Sequence, residues 1–404
     1  MSKSQHGFKE KNVEANPLTK DDTSVKTKVG RLQYSKTHAF WETQPVAQFK
    51  DIGDTSLPQG PIDSTTPLSE FKQDSYNLPV NYEWTTCDMN SDDICSEVCN
   101  FFKVHYPDEE NIRVNYSREF LRWALCPPGY HQRWHIGVRV KTTKKLVAFI
   151  SGVPERIRVR DEVVRMAKIN FLCVHKKLRS KETLYAAKSS QNIWQAVYTS
   201  PDILPTPVTT CQYWMRMLNA KKLIDVGFSK LREGITMSMT IKLNKEMERR
   251  DVSAVTGLLR NYLSQLGVAT DFDENDVKHW ILLREDVVHS YVVENPETHN
   301  VSDFCSFYTV PLTIVGNAKY TTVECAYSYY NVSTQTLFPQ LMNDALIVSK
   351  QKGFDVFYAL DVMHNESFLK KLKFGPGNDA RLQYYLYNYR LRSALKPSEL
   401  GLVL

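Results

Sequence analysis

Apolar side chains recur at helical spacing early in the chain, at Ile94, Val98, Phe101 and Phe102. The Ser91-Asp92 pair ahead of them is a helix-starting signal, so the pattern predicts a helix near Asp92–Tyr106. A second amphipathic run built on FLRWAL predicts a helix near Ser117–Leu125. Runs of β-branched and aromatic residues then predict strands at His135–Val140, Leu146–Val153 and Ile169–His175. Residues 1–30 carry charged side chains with almost no apolar periodicity and read as a disordered polar arm. Phe49–Tyr82, rich in Pro, Ser, Thr, Asp and Gly, reads as an extended wrapping segment.

The second half repeats the first. Trp123 in FLRWAL and Trp280 in VKHWIL stand 157 residues apart, as do Pro154 ending VAFISGVP and Pro311 ending FCSFYTVP. The same shift carries KINFLCVHKK onto CAYSYYNVST. One offset thus aligns a helix and two strands, which is the mark of a duplicated unit. In the next strand QAVYT matches YALDV at an offset of 163, so the first half is about six residues short between Lys176 and Asn192. The second half places a helix over Thr336–Lys352 there, with Gly353 past its end. Each half reads as helix, helix, two or three antiparallel strands, then strand, loop, helix, strand. That order resembles a small acyl-CoA-dependent N-acyltransferase module, and a mixed α+β fold of two fused modules related by pseudo-twofold symmetry is expected.

Composition narrows the classes. A hydrophobic fraction of 42% supports a full core and excludes collagen-like or wholly disordered chains. No stretch reaches about 18 apolar residues, so no membrane span is expected. A net charge of +6 over 404 residues suits some affinity for anions but is no nucleic-acid signature. The eight cysteines form no CxxC pair, and without a secretory leader they read as reduced thiols of a cytoplasmic protein. Cys95/Cys99 and His131/His135 each stand four apart, but neither spacing belongs to a zinc site, so no metal is expected.

The segment with chemical promise is KINFLCVHKKLRSK at 168–181, an apolar strand running into Lys176, Lys177, Arg179 and Lys181. A strand end leading to cations at a helix start can seat a pyrophosphate, through open backbone N–H groups, the helix dipole and charge-assisted contacts. The same cations also suit a solvated turn. This segment strongly resembles the first signature of the N-myristoyltransferase (glycylpeptide N-tetradecanoyltransferase) family. HAFWETQPV at 38–46, RWALCPPGY at 122–130, LPTPVTTCQYW at 204–214, MNDALIVSKQKGFDVF, KFGPG and the terminal GLVL extend the likeness over nearly the whole chain beyond the arm.

The resemblance implies transfer of a C14 acyl group from myristoyl-CoA, as co-substrate with no further cofactor, to the amine of an N-terminal glycine. It implies an acyl-CoA-binding half at 31–243 and a peptide-binding half at 244–404. Backbone amides of Phe171 and Leu172 would hold the oxyanion, and the carboxylate of Leu404 would take the proton. Asn170 and Thr199 would stand near the incoming amine. Acyl-CoA would be held by His38, Ala39, Phe40, Trp41, Leu172, Cys173 and Val174, with Arg179, Ser180 and Lys181 at its phosphates. Tyr116, Tyr213 and Asp379 would meet the peptide, and the protein would act as a monomer with N-terminal-glycine peptides as partners.

The chain departs from the family pattern at Glu182 after RSK, at Lys168 where the strand usually begins with Glu, and at Met215 where the family has His. It also departs in the 377–381 loop, where Asn378 or Asp379 takes the family's Asp, and in a tail ending one residue early. These leave a second expectation beside the enzyme: a catalytically impaired paralogue that keeps acyl-CoA or peptide binding.

Overall fold

The computed structural model describes residues 39–54, 56–64, 77–106, 111–179, 193–201, 203–204, 206–228 and 245–403. The arm at 1–30, His38, the Ser180–Lys181 pair, Glu182 and the segment expected to hold a shortened helix, and Leu404 lie outside the described residues.

The first half runs α1 (Ala39–Glu42), β1 (Tyr82–Thr86), α2 (Asp92–His105), β2 (Ile112–Val114), α3 (Arg118–Leu125), β3 (His135–Val140), β4 (Leu146–Val159), β5 (Glu162–Val174), β6 (Gln195–Ser200), β7 (Thr209–Met217) and α4 (Ala220–Asp225). Helix α2 starts where Ser91 Oγ accepts from the Ile94 amide, with Asp92 and Asp93 against the positive end of the helix dipole. It buries Cys95, Val98, Phe101 and Phe102. Ser117 caps α3 in the same way, and α3 buries Phe120, Leu121 and Trp123.

Two strands run further than their sequence suggests. β4 continues past Pro154 to Val159, and β5 begins at Glu162 rather than Ile169. Pro154 lies where β4 has left β3, after the Ser151↔His135 pair, and has not yet met another strand at Ile157↔Thr270. A residue without an N–H is tolerated on such an open edge.

The second half runs β8 (Lys245–Glu246), α5 (Val252–Leu263), β9 (Val268–Thr270), α6 (Glu274–Trp280), β10 (Val288–Glu294), β11 (Val301–Thr309), β12 (Leu312–Ile314), β13 (Thr322–Val323), β14 (Cys325–Val332), α7 (Phe338–Gln351), β15 (Val356–Leu360), α8 (Glu366–Leu369), β16 (Gly375–Tyr387) and β17 (Leu400–Gly401). Among the described residues, one mixed sheet has the order β1-β3-β4-β5-β6-β16-β7-β15-β14-β11-β10-β8. Matching the halves element by element, this order reads the same from either end. The pseudo-twofold passes between β16 and β7, and each half gives its last strand to the other: β16 pairs with β6, and β7 with β15.

The symmetry extends to side chains. Trp123 and Trp280 meet edge to face at 5.3 Å. Trp123 Nε1 donates to the His279 carbonyl at 3.1 Å, and His279 Nε2 donates back to the Trp123 carbonyl at 2.7 Å. Short strands also cross, β2 onto β12 and β9 onto β4.

In each half a parallel pair opens after three residues. β5 and β6 pair from Met166↔Gln195 to Lys168↔Val197 and no further. β14 and β15 pair from Cys325↔Val356 to Tyr327↔Tyr358. In the second half the loop beyond β14 closes on the buried Asp303. Its carboxylate accepts from the Thr334, Gln335 and Thr336 amides at 2.5, 2.9 and 3.2 Å, and from the Ser302 and Thr336 hydroxyls. Among the described residues, no helix is long and apolar enough to cross a membrane, no acidic, His or Cys cluster suits a metal, and the cysteines are free thiols.

Candidate active site

The site begins with a fault in a ladder. Phe149 pairs with Cys173 and Ser151 with Asn170, so Ile150 on β4 faces two residues, Phe171 and Leu172, on β5. This is a β-bulge, and neither Phe171 nor Leu172 has a register partner on β4. Phe171 sits at φ +56°, a left-handed conformation that costs an aromatic residue of order 1–3 kcal/mol. Packing holds it there: its ring stacks on Phe102 at 5.6 Å and meets Tyr116 edge-on at 5.4 Å. Ser151 Oγ donates to the Asn170 carbonyl at 2.8 Å and fixes the near side of the bulge. Leu172, 43% exposed, points its apolar side chain outward.

The bulge lies on the opening between β5 and β6. Asn170 on β5 and Thr199 on β6 each lie two residues beyond the last parallel pair, on the two strands that border the gap. Cys173 is buried on the bulged strand and Val174 half-buried at its end. On the β6 side, Trp41 of α1 stacks on Tyr198 at 5.7 Å, and Tyr198 stacks on Tyr385 at 5.1 Å. Ala39 and Phe40 are described only as backbone of α1.

Past β5 the chain makes a 3-10 turn, Lys176–Leu178, at which Lys176 and Lys177 are exposed. Arg179, itself exposed, folds back on the strand end: its Nε donates to the Val174 carbonyl at 3.2 Å and its terminal nitrogen to the His105 carbonyl at the C-terminal end of α2. There a cation also meets the negative end of the helix dipole. The His105 and His175 rings lie 4.1 Å apart. Burial, then the neighbouring His175, Lys145, Lys176 and Arg179, pull His105 down to about 4. Burial, then Lys145 and Lys177, pull His175 down as well. The charges acting on both rings are cationic, a field that favours an anion.

From the bulge, a band of rings crosses into the second half. Tyr116 stacks on Phe120, Phe120 meets Tyr308, Tyr308 stacks on Tyr327, and Tyr327 meets Tyr213 and Tyr358. Burial holds the Tyr116 and Tyr213 phenols above their ordinary range, so both stay neutral. The sequence reading missed Tyr308, Tyr327 and Tyr358, since tyrosines on core strands carry no local mark of such a band. Met215 packs beside it against the Leu223–Val356 cluster. Asp379 lies on β16, where only its backbone is described.

The C-terminal tail reaches the same region. Leu400–Gly401 pair in parallel with Val268–Ala269 of β9, and Leu400, Leu402 and Val403 are buried. Lys168, at the mouth of the gap, donates to the Val403 carbonyl at 3.3 Å. The site therefore brings together strained bulge amides, an opening in a parallel sheet, a cationic turn, an aromatic band and the end of the chain. Leu404, the expected base, follows immediately but lies outside the described residues.

Comparison with known proteins identifies the family. Residues 61–211 match the N-terminal domain of myristoyl-CoA:protein N-myristoyltransferase, and residues 225–403 match its C-terminal domain. Glycylpeptide N-tetradecanoyltransferase 1 of Arabidopsis thaliana is 72% identical, over 97% of this chain and 96% of its own length. The Dictyostelium discoideum glycylpeptide N-tetradecanoyltransferase is 44% identical, over 91% of this chain and 93% of its own length. The Saccharomyces cerevisiae N-myristoyltransferase solved with bound myristoyl-CoA superposes with a TM-score of 0.85 at 33% identity, covering 92% and 94% of the two chains. The chain belongs to the myristoyl-CoA:protein N-myristoyltransferase family.

Proposed function

We propose that this chain transfers a myristoyl group from myristoyl-CoA to the α-amine of N-terminal glycine peptides. The observation that carries the reading is the Phe171–Leu172 bulge on the lip of the β5/β6 gap. The thioester lies in the gap with its carbonyl oxygen toward the bulge amides, and its nucleotide phosphates meet Lys176 and Lys177, with Ser180 and Lys181 of the following segment. The glycine amine enters past Asn170 and Thr199. A free α-amine titrates near 7.7–8.0, so a carboxylate suffices to take its proton, and the C-terminal carboxylate of Leu404 is the base. The amine then attacks the carbonyl, the C–N bond forms, and the amides of Phe171 and Leu172 stabilise the oxyanion. The C–S bond breaks, the nitrogen gives up its remaining extra proton to the departing sulfur, and CoA leaves as the thiol.

The N-terminal half, residues 31–243, serves the thioester, and the C-terminal half, 244–404, with Tyr213, Asp379 and the tyrosine band, serves the peptide. Tyr116 bridges the two. The protein works as a monomer in the cytoplasm, where nascent N-termini and acyl-CoA meet.

The test is a mass-based transfer assay with an N-terminal Gly peptide, comparing C14-CoA with acetyl-CoA. Turnover with C14-CoA that vanishes when one residue is appended to the C-terminus is the expected result. Binding of myristoyl-CoA without any turnover would establish the impaired alternative instead, and preference for acetyl-CoA would overturn the substrate assignment.

A further inference from the structure

Three successive carbonyls at the end of the described chain are each held by a side-chain donor from a different strand. The Tyr330 hydroxyl on β14 donates to Gly401 O, the Tyr384 hydroxyl on β16 to Leu402 O, and Lys168 Nζ on β5 to Val403 O, each at 3.3 Å. The first two donors are neutral phenols. The third is an ammonium whose side chain is 7% exposed. Its other neighbours are Glu155 at 3.5 Å and the Trp280 ring at 5.3 Å. Glu155 accepts from Thr270 Oγ1 at 2.5 Å, and that hydroxyl lies 3.2 Å from the Tyr330 hydroxyl. A closed polar ring thus runs from Lys168 through Glu155, Thr270 and Tyr330 to the tail and back.

A buried charge is expensive unless it is paired, and Glu155 at 3.5 Å pairs this one. Two features give the paired ammonium a further use. Lys168 stands three residues before Phe171 on the same strand, so it ties the tail to the bulge through a few rigid backbone bonds. It also grips the last carbonyl before the terminal carboxylate. We infer that Lys168 is a positioning residue for acyl transfer: it fixes the tail's register against the bulge, and its charge keeps the terminal carboxylate ionised. The inference rests on the reading of that carboxylate as base.

The titratable groups of this network are Glu155 on β4, which pairs with the ammonium, Tyr330 on β14 and Tyr384 on β16, which hold the tail, and Tyr329 and Asp276, which lie near Glu155. Burial drives the three phenols far above neutrality. Burial also raises Asp276, which pairs with Arg156 at 3.4 Å. Glu155 is the charged partner of Lys168 at 3.5 Å, so it is removed together with it.

The experiment compares E155Q, E155Q/K168Q and E155Q/K168M in steady-state transfer to a Gly peptide across pH, alongside carboxypeptidase release of the terminal residues. Glutamine keeps a donor and loses the charge, so E155Q/K168Q should keep its tail protected. Its acid limb of kcat should rise by roughly one pH unit relative to E155Q, because a removed neighbouring cation raises a carboxylate's pKa. E155Q/K168M loses donor and charge. Its tail should become carboxypeptidase-sensitive and kcat at neutral pH should fall about tenfold or more, with KM for myristoyl-CoA within about twofold. A merely structural lysine would lower Tm and leave the acid limb in place. The inference is overturned if E155Q/K168M folds and keeps both the kcat and the acid limb of E155Q. If the native chain extended by one C-terminal residue still turns over, the carboxylate reading itself has failed. Loss of turnover there with an indifferent double variant sinks only the role of Lys168.

Discussion

Replacing Gly401 with alanine tests the tail by adding a single carbon. Gly401 lies in parallel register with Ala269, and a Cβ built on it would stand 2.7 Å from Ala269 Cβ, 2.8 Å from Leu266 Cδ1 and 2.9 Å from Leu263 Cδ2. The leucine ends can swing aside. Ala269 cannot, because β9 is itself zipped to β4 through Arg158↔Ala269. Tail docking buries Leu400, Leu402 and Val403, worth roughly 5–9 kcal/mol together. Three side-chain hydrogen bonds add about 1 kcal/mol each. Ordering four residues costs roughly 5–10 kcal/mol in backbone and side-chain entropy. The net margin is a few kcal/mol, and overpacking by one methyl group costs about 1–3 kcal/mol. Only the part of that cost that exceeds the margin undocks the tail, so at 1.4 kcal/mol per tenfold Gly401→Ala should lower kcat by up to roughly tenfold. KM for myristoyl-CoA should hold, since the thioester gap between β5 and β6 is untouched. Initial rates of transfer to a Gly peptide give kcat, and carboxypeptidase release of Leu404 and Val403 reports undocking. A variant whose tail is digested while kcat stays at the native value would refute the link between tail and chemistry.

The remaining predictions concern other parts of the molecule. Burial holds His105, His135, His279 and His289 near 4 in the folded chain, against an ordinary 6.5 when unfolded. The unfolded state therefore binds more protons between those values, so stability is full above about pH 6.5 and falls as pH drops toward 4. The urea midpoint should decline from pH 7.5 to 5, and a flat midpoint would contradict this. Asp303→Ala should cost about 1–3 kcal/mol in urea unfolding, because the buried carboxylate's hydrogen bonds are lost while the three loop amides, on exposed or half-buried residues, are partly recovered by water. A loss below about 1 kcal/mol would mean that water replaces the carboxylate. Lys176→Ala with Lys177→Ala should raise KM for myristoyl-CoA several-fold at low salt and much less at high salt, leaving kcat in place. An unchanged KM at low salt would remove both lysines from the phosphate site.

Local signals were readable in the sequence where local physics decides the outcome. Ser91 and Ser117 start α2 and α3 as expected, and His135–Val140 and the helix inside Thr336–Lys352 form where the pattern puts them. The constant offset exposed the duplication because equivalent cores need equivalent spacing. The hairpin beyond Pro154 was hidden, since proline normally ends a strand and only the open edge of β4 excuses it. The exchange of β7 and β16 leaves no periodicity behind, as both strands look alike whichever partner they take. At the site, family likeness pointed to the backbone of Phe171 and Leu172, but an aromatic residue at positive φ cannot be read from the sequence. It is held by Phe102 and Tyr116, which lie 69 and 55 residues upstream. Lys168, Tyr330 and Tyr384 converge on the tail from three strands, and each alone looks like any core residue.

The swapped central strands impose a timetable on synthesis. β6 is complete at Ser200, but its partner β16 starts at Gly375, about 175 residues later. At about 5–20 residues per second, a ribosome needs roughly 9–35 s to deliver it. During that interval the newborn first half exposes raw backbone donors and acceptors beside a large apolar face, the arrangement that invites misassembly with other chains. The protein is thus a slow arrival, whose yield in the cell depends on what shelters that edge until the last strand comes.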